Sequence, residues 1–228
     1  MTSTAGTVST RKHTRRVVVR NVGWVEYLQA AAAFDGQRSV RLTYDRGVME
    51  IMVIGYEHDF GDRSLFMFVM LLAKGFGKAF WPGGQTTLRR KDLLKGAEAD
   101  EIFWIDHASA MVGAKNLDLT LHPPPDLAVE VDVSRRSARR LRVLAGLGVP
   151  EVWQSRPDAL LFLGLVGNGY VEIDRSRSFP LVTPADLFPF VLRARTEPNQ
   201  LVFYDEVLEW ARERAQSNPA AGGEPAAG

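Results

Sequence analysis

The chain contains no cysteine among its 228 residues. This absence removes disulfides, thiolate metal ligands and a cysteine nucleophile together, so any metal must be held by oxygen or imidazole, and hard cations become the default. There is also little excess charge of either sign: 28 Lys and Arg against 27 Asp and Glu leave a formal net charge of +1. A global field that draws in a polyanion is therefore excluded, and nucleic-acid binding has to come from local basic stretches. Histidine is scarce, and His13, His58, His107 and His122 show no zinc-ligand spacing. No apolar run reaches the length needed to cross a bilayer, and the stretch from Met1 to Arg16 lacks the apolar segment of a secretion signal. A cytoplasmic protein without membrane contact is the expectation. Also missing are a Gly-x-Ser-x-Gly elbow, a Walker phosphate loop and a Gly-x-Gly-x-x-Gly turn after a strand, which sets aside three common catalytic plans.

What is present suits one α/β domain. A 46% hydrophobic content over this length supplies one sizeable core and is short for two. The polar, basic residues 1–19 and the Ala/Gly/Pro-rich residues 216–228 read as disordered tails around a domain spanning 20–215. Within it, 22–34 reads as a short helix, and 38–44 with 48–54 as a hairpin about Asp45-Arg46-Gly47. Residues 57–76 form a helix that is apolar almost all round after Leu65, and so one buried across a sheet. Strands are predicted at 85–88, 102–105, 127–133 and 151–154, a helix over 137–147, a hairpin over 159–166 and 170–173, and two closing helices from Thr183-Pro184 and Asn199. There is no internal repeat.

The strand at 126–133 is the most informative segment. Its period of two places Leu127, Val129, Val131 and Val133 on one face and Asp126, Ala128, Glu130 and Asp132 on the other. An antiparallel edge strand with a wet side reads the same way. Two further acid sources stand nearby in the pattern: Asp100 at the mouth of the strand 102–105, and Glu57 at the start of the buried helix, where a carboxylate also benefits from the helix dipole. Carboxylates from three elements converge only if a cation neutralises them, and such oxygen donors suit Mg²⁺ or Mn²⁺. In the helix 137–147, the stripe of Leu141, Leu144 and Leu147 also carries Arg140, while Arg139 and Arg142 point away. Arg140 either braces a carboxylate and a phosphorane-like transition state, or snorkels over the core edge.

Five strings occur in order: Glu57-His58, Thr86-Thr87-Leu88-Arg89, Glu98-Ala99-Asp100-Glu101, Pro124 to Val131, and Leu147-Gly148-Val149-Pro150-Glu151-Val152-Trp153. Together they resemble the Uma family of restriction endonucleases, in the PD-(D/E)XK nuclease superfamily, over about residues 20–215. The resemblance implies a central mixed sheet flanked by helices and a Mg²⁺- or Mn²⁺-dependent endonuclease acting on DNA. It implies Asp100 and Glu130 as metal ligands, Glu57 as the helix-borne acid, and Arg140 as their catalytic partner. Basic stretches at Arg89-Arg90-Lys91 and Arg135-Arg136 are then candidate phosphate contacts, or solvated loops. Two departures stand out. Ala99 replaces the proline before the first acid, and Asp132 stands where a lysine is expected two residues past Glu130. Arg140 takes the place of the helix-borne lysine seen in many members; it keeps the charge but cannot act as a base near neutral pH. A nuclease-fold binding or scaffold component that has lost catalysis is therefore the second reading. A homodimer suits duplex cleavage, which needs two cuts.

Overall fold

A computed structural model describes residues 15–37, 39–53, 56–131 and 138–217, with 15 and 56–62 by backbone alone. The elements are, in order, β1 (Arg15–Arg20), α1 (Trp24–Ala33), β2 (Val40–Asp45), β3 (Val48–Val53), α2 (Tyr56–Gly75), β4 (Trp81–Pro82), β5 (Thr87–Arg90), β6 (Lys95–Glu98) and β7 (Glu101–Trp104). There follow a 3₁₀ turn (Ala108–Met111), β8 (Leu127–Val131), α3 (Ala138–Gly146), β9 (Glu151–Arg156), β10 (Ala159–Val166), β11 (Gly169–Glu172), α4 (Pro184–Ala194) and α5 (Gln200–Gln216).

The strands form two sheets, ordered β1-β3-β2-β6-β5 and β11-β10-β9-β8-β7-β4. The second is mixed: β8 and β9 run parallel, while the other neighbours are antiparallel. Helix α2 covers one face, where Leu65, Phe68 and Leu72 are fully buried with Phe103, Val129 and Trp153. The opposite face carries Ile102, Trp104, Ala128 and Val152, packed with Val143 and Leu144 of α3. This is the α/β arrangement expected, a central mixed sheet flanked by helices. Each large apolar side chain so buried contributes about 1.5–3 kcal/mol before entropy is counted.

Helix α3 also lies against β2 and β6 of the first sheet, so it is held between the two sheets. The other face of the first sheet is covered by α1, through Tyr27 stacked on Tyr44 at 4.7 Å. The β2–β3 hairpin turns on Arg46 and Gly47, whose φ values of 44° and 88° are both positive, as the two-residue primed turn demands.

Several boundaries differ from the sequence reading. Residues 15–19, placed in a disordered tail, form β1 together with Arg20 and pair with the whole of β3. Strand β6 was not foreseen, because Gly96 interrupts its pattern. A Cβ there would lie 2.2 Å from the Tyr27 hydroxyl oxygen, so glycine is what lets α1 close on the sheet. Strand β5 begins two residues later than predicted. Most consequential is β8: all five of its residues are buried, and it lies between β7 and β9. The wet-edge explanation of its acidic face does not hold. Among the described residues no helix is long and apolar enough to cross a membrane.

Candidate active site

Asp100 sits where the chain leaves β6 of one sheet and enters β7 of the other, and it is fully buried. Its Oδ2 accepts the Val131 backbone N–H at 2.8 Å, which ties it to the end of β8. Its Oδ1 accepts from Arg41 Nε at 3.3 Å. Arg41 follows from the alternation of β2: Leu42 and Tyr44 face α1, so Arg41, Thr43 and Asp45 face α3. A guanidinium only 2% exposed requires a carboxylate, and Asp100 provides it.

Glu130, 1% exposed, projects from β8 toward α3 on the same face as Ala128. It meets Arg140, 4% exposed, whose Nη1 donates to Glu130 Oε2 at 2.6 Å and lies 3.5 Å from Asp100 Oδ1. Of the three carboxylates expected to converge, Asp100 and Glu130 thus approach one nitrogen atom of Arg140. Burial opposes the charge on Arg140, but Glu130, Asp100 and Glu50 outweigh it and raise its pKa, so the guanidinium stays charged. Arg140 Nη2 also reaches Met52 Sδ at 3.4 Å.

Around this centre the first sheet supplies a second ionic layer. Glu50, 4% exposed, lies 2.6 Å from Arg16 Nη2 and 3.4 Å from Arg139 Nε. Arg139 therefore does not point away, as helical periodicity predicts; the helix lies between two sheets, and the face turned from one is turned to the other. On the second sheet, Gln154 stands opposite Glu130 in the parallel β8–β9 register and is buried. Tyr170 donates to the Val149 carbonyl at 2.7 Å. Burial, and secondarily the Glu130 charge, push its hydroxyl pKa up.

Two acids near Asp100 differ from it. Glu98 accepts the Leu42 N–H and the Thr87 hydroxyl at 3.3 and 3.1 Å, yet burial still raises its carboxyl. Glu101 pairs with Val129 in register, so it faces the α2 side of the sheet. Burial and the Asp100 charge raise its carboxyl to about 7. Asp126 lies outside the centre: it accepts the Ile105 and His107 N–H groups at 2.7 and 3.0 Å and pairs with His107 Nδ1 at 2.5 Å. Glu57 lies in the first turn of α2 as predicted, on the helix covering the opposite face from Glu130, and its side chain is outside the described residues. Arg135, Arg136 and Asp132 are likewise outside them. Among the described residues no three acids or histidines form a group that would hold a metal.

The stretch Arg89, Arg90 and Lys91 lines a surface cleft of about 1020 Å³, whose walls include Trp24, Leu28 and Asn116. A smaller cavity of about 270 Å³ shares Ala31, Asp35, Gln85 and Thr87 with that cleft and reaches Glu98 and Arg41. Because Arg41 holds Asp100, the cleft approaches the buried carboxylates through one side chain. Arg90 is clamped by Asp92, with nitrogens 2.8 and 2.6 Å from its two oxygens, while Arg89 and Lys91 are exposed.

Arg41, Glu50 and Gln154 were missed in the sequence. The signal for Arg41 was available, since an arginine between the apolar residues of a hairpin strand has to face something. Glu50 and Gln154 gave none, because their partners are distant in sequence.

No known family model matches the chain, and no curated protein matches it. Among solved structures it is similar to one from Anabaena variabilis described as "a putative nuclease belonging to DUF820", at 13% identity and a TM-score of 0.45, over 66% of this chain and 90% of that one.

Proposed function

We propose that this protein is a Mg²⁺- or Mn²⁺-dependent endonuclease that hydrolyses DNA phosphodiester bonds. The carrying observation is the meeting of Asp100, just before β7, and Glu130, on the neighbouring β8, at a single nitrogen of Arg140. A fold does not bring two carboxylates together in its interior without a cation to hold them there. The donor set fits a hard divalent ion: oxygen ligands only, two formal negative charges, and a locus that a cationic group already occupies. Glu57, in the first turn of the helix across the sheet, is in this reading an auxiliary ligand or a water holder. Such an ion, when bound, polarises the phosphate and lowers the pKa of water beside it.

The remaining work falls to the chain itself. Asp100 is oriented by the Val131 N–H and Arg41, which fix the plane of its carboxylate. Arg140 remains protonated throughout, so it supplies charge to the phosphoryl oxygens and takes no proton. The cleft lined by Arg89 and Lys91 tracks the phosphate backbone. Two cuts in a duplex call for two copies of the chain, as a homodimer or in succession.

Calorimetric titration with Mg²⁺ and Mn²⁺, run beside nicking of supercoiled plasmid, tests the reading. The wild type binds and nicks, and Glu130→Ala loses both. Nicking that persists in Glu130→Ala sinks it. Metal binding without nicking favours the second reading, a catalytically impaired binding or scaffold component; the observation behind that reading is the arginine ion-paired to both carboxylates.

A further inference from the structure

The same nitrogen that reveals the site also obstructs it. Arg140 Nη1 lies 2.6 Å from Glu130 Oε2 and 3.5 Å from Asp100 Oδ1. A divalent ion shared by those two carboxylates needs the volume that this end of the guanidinium fills, and two cations that close repel strongly in a buried place. Arg140 has somewhere else to lean: its Nη2 already reaches Met52, and Glu50 contributes to the charge around it. We infer that Arg140 is a resident counter-cation that competes with the metal for Asp100 and Glu130, so that binding requires its guanidinium to withdraw from them. This rests on the metal-dependent nuclease reading and adds a regulatory property to it: the metal-free chain is held folded by its own cation, and the exchange sets the metal concentration at which the site fills. Arginine suits the role because one end of its fork, Nη1, holds the carboxylates while the other, Nη2, already rests on Met52, and its charge is kept at any pH near neutrality.

The test is the affinity of the full-length protein for Mn²⁺, measured by calorimetry and by loss of the free-ion electron paramagnetic resonance signal, for wild type, Arg140→Gln and Arg140→Lys. Removing a unit charge a few ångströms from the locus is expected to tighten Mn²⁺ binding by about ten-fold or more in Arg140→Gln. Arg140→Lys, which keeps the charge and is the safer variant for folding, falls between it and the wild type. In addition, methylguanidinium weakens Mn²⁺ binding to Arg140→Gln and leaves the wild type unchanged, a response that a merely structural arginine does not give. Should either variant bind Mn²⁺ more weakly than the wild type, the inference is overturned while the metal site stands. Should none of the three proteins bind Mn²⁺, the nuclease reading fails and takes this inference with it.

Discussion

Glu151 offers a test of which acids are structural. It opens β9, is fully buried, and belongs to the Gly-Val-Pro-Glu-x-Trp string that carries much of the family resemblance. Its carboxylate lies away from Asp100 and Glu130 in its bonding: Oε1 accepts from Trp153 Nε1 at 2.8 Å, and Oε2 accepts from the Ser178 N–H and Oγ, both at 2.9 Å. These bonds pin the segment before α4 to the central sheet, beside the Trp153–Phe162 stack with its centroids 4.5 Å apart. Glu151→Ala leaves three donors without an acceptor in the core. Hydrogen bonds to a charged group are worth about 1.5–3 kcal/mol each, but deleting a buried carboxylate also recovers its desolvation cost. The net loss is expected at about 3–5 kcal/mol, from three neutral donors left unsatisfied in the core at roughly 1–3 kcal/mol each, less the recovered desolvation. At ~2–4 °C per kcal/mol for a domain of this size, the melting temperature falls by about 10 °C. Glu151→Gln keeps the shape and one acceptor oxygen, so it loses about 1–2 kcal/mol, in the range of a single exchanged bond. Urea unfolding followed by tryptophan fluorescence measures both, with Mn²⁺ affinity measured alongside and expected to be unchanged. A Glu151→Ala protein of wild-type stability that fails to bind Mn²⁺ would refute the structural assignment and put Glu151 in the site.

Other perturbations separate the remaining roles. Asp100→Asn removes the charge shared by Arg41 and Arg140, so it is expected to abolish Mn²⁺ binding in calorimetry and to cost about 3–5 kcal/mol in urea. Replacing Arg89 and Lys91 by alanine lowers the salt slope of DNA binding by about two in a fluorescence titration, whereas Arg90→Ala changes it little because Asp92 already neutralises that guanidinium. Equal slopes for all three would remove the cleft from the DNA path. The hydrogen bond to Asp126, followed by its charge, raises the pKa of His107. A raised folded-state pKa means the contribution is fully present below the unfolded value of about 6.5 and is lost as pH rises through the folded value. A ¹H–¹⁵N titration of the imidazole should therefore show a midpoint above the ordinary one, and His107→Gln should flatten the pH dependence of stability in that window; a midpoint at or below the ordinary value contradicts the pairing.

The sequence by itself determined the local elements and the chemistry of the donors. The apolar pattern located α2 and α3, alanine content α1 and capping residues the two closing helices, turn residues located the β2–β3 hairpin, and alternation put Glu130 opposite Val129 and Val131 on one short strand. The absence of cysteine restricted any metal to oxygen or imidazole ligands and made hard cations the default. Periodicity also put Arg140 on the inward face of its helix, but it left open whether that arginine met a carboxylate or the solvent. Only the tertiary structure decided this, because the partners lie just before β7 and on β8, 40 and 10 residues away, and a one-dimensional pattern carries no information on which strands are neighbours. The same reason explains Arg41, bonded to an acid 59 residues distant, and Arg139, whose helix is enclosed by two sheets where a periodicity argument assumes one. The burial of β8 between β7 and β9 is likewise a property of strand order, and it is what turns an acidic strand face from a wet edge into a charged centre.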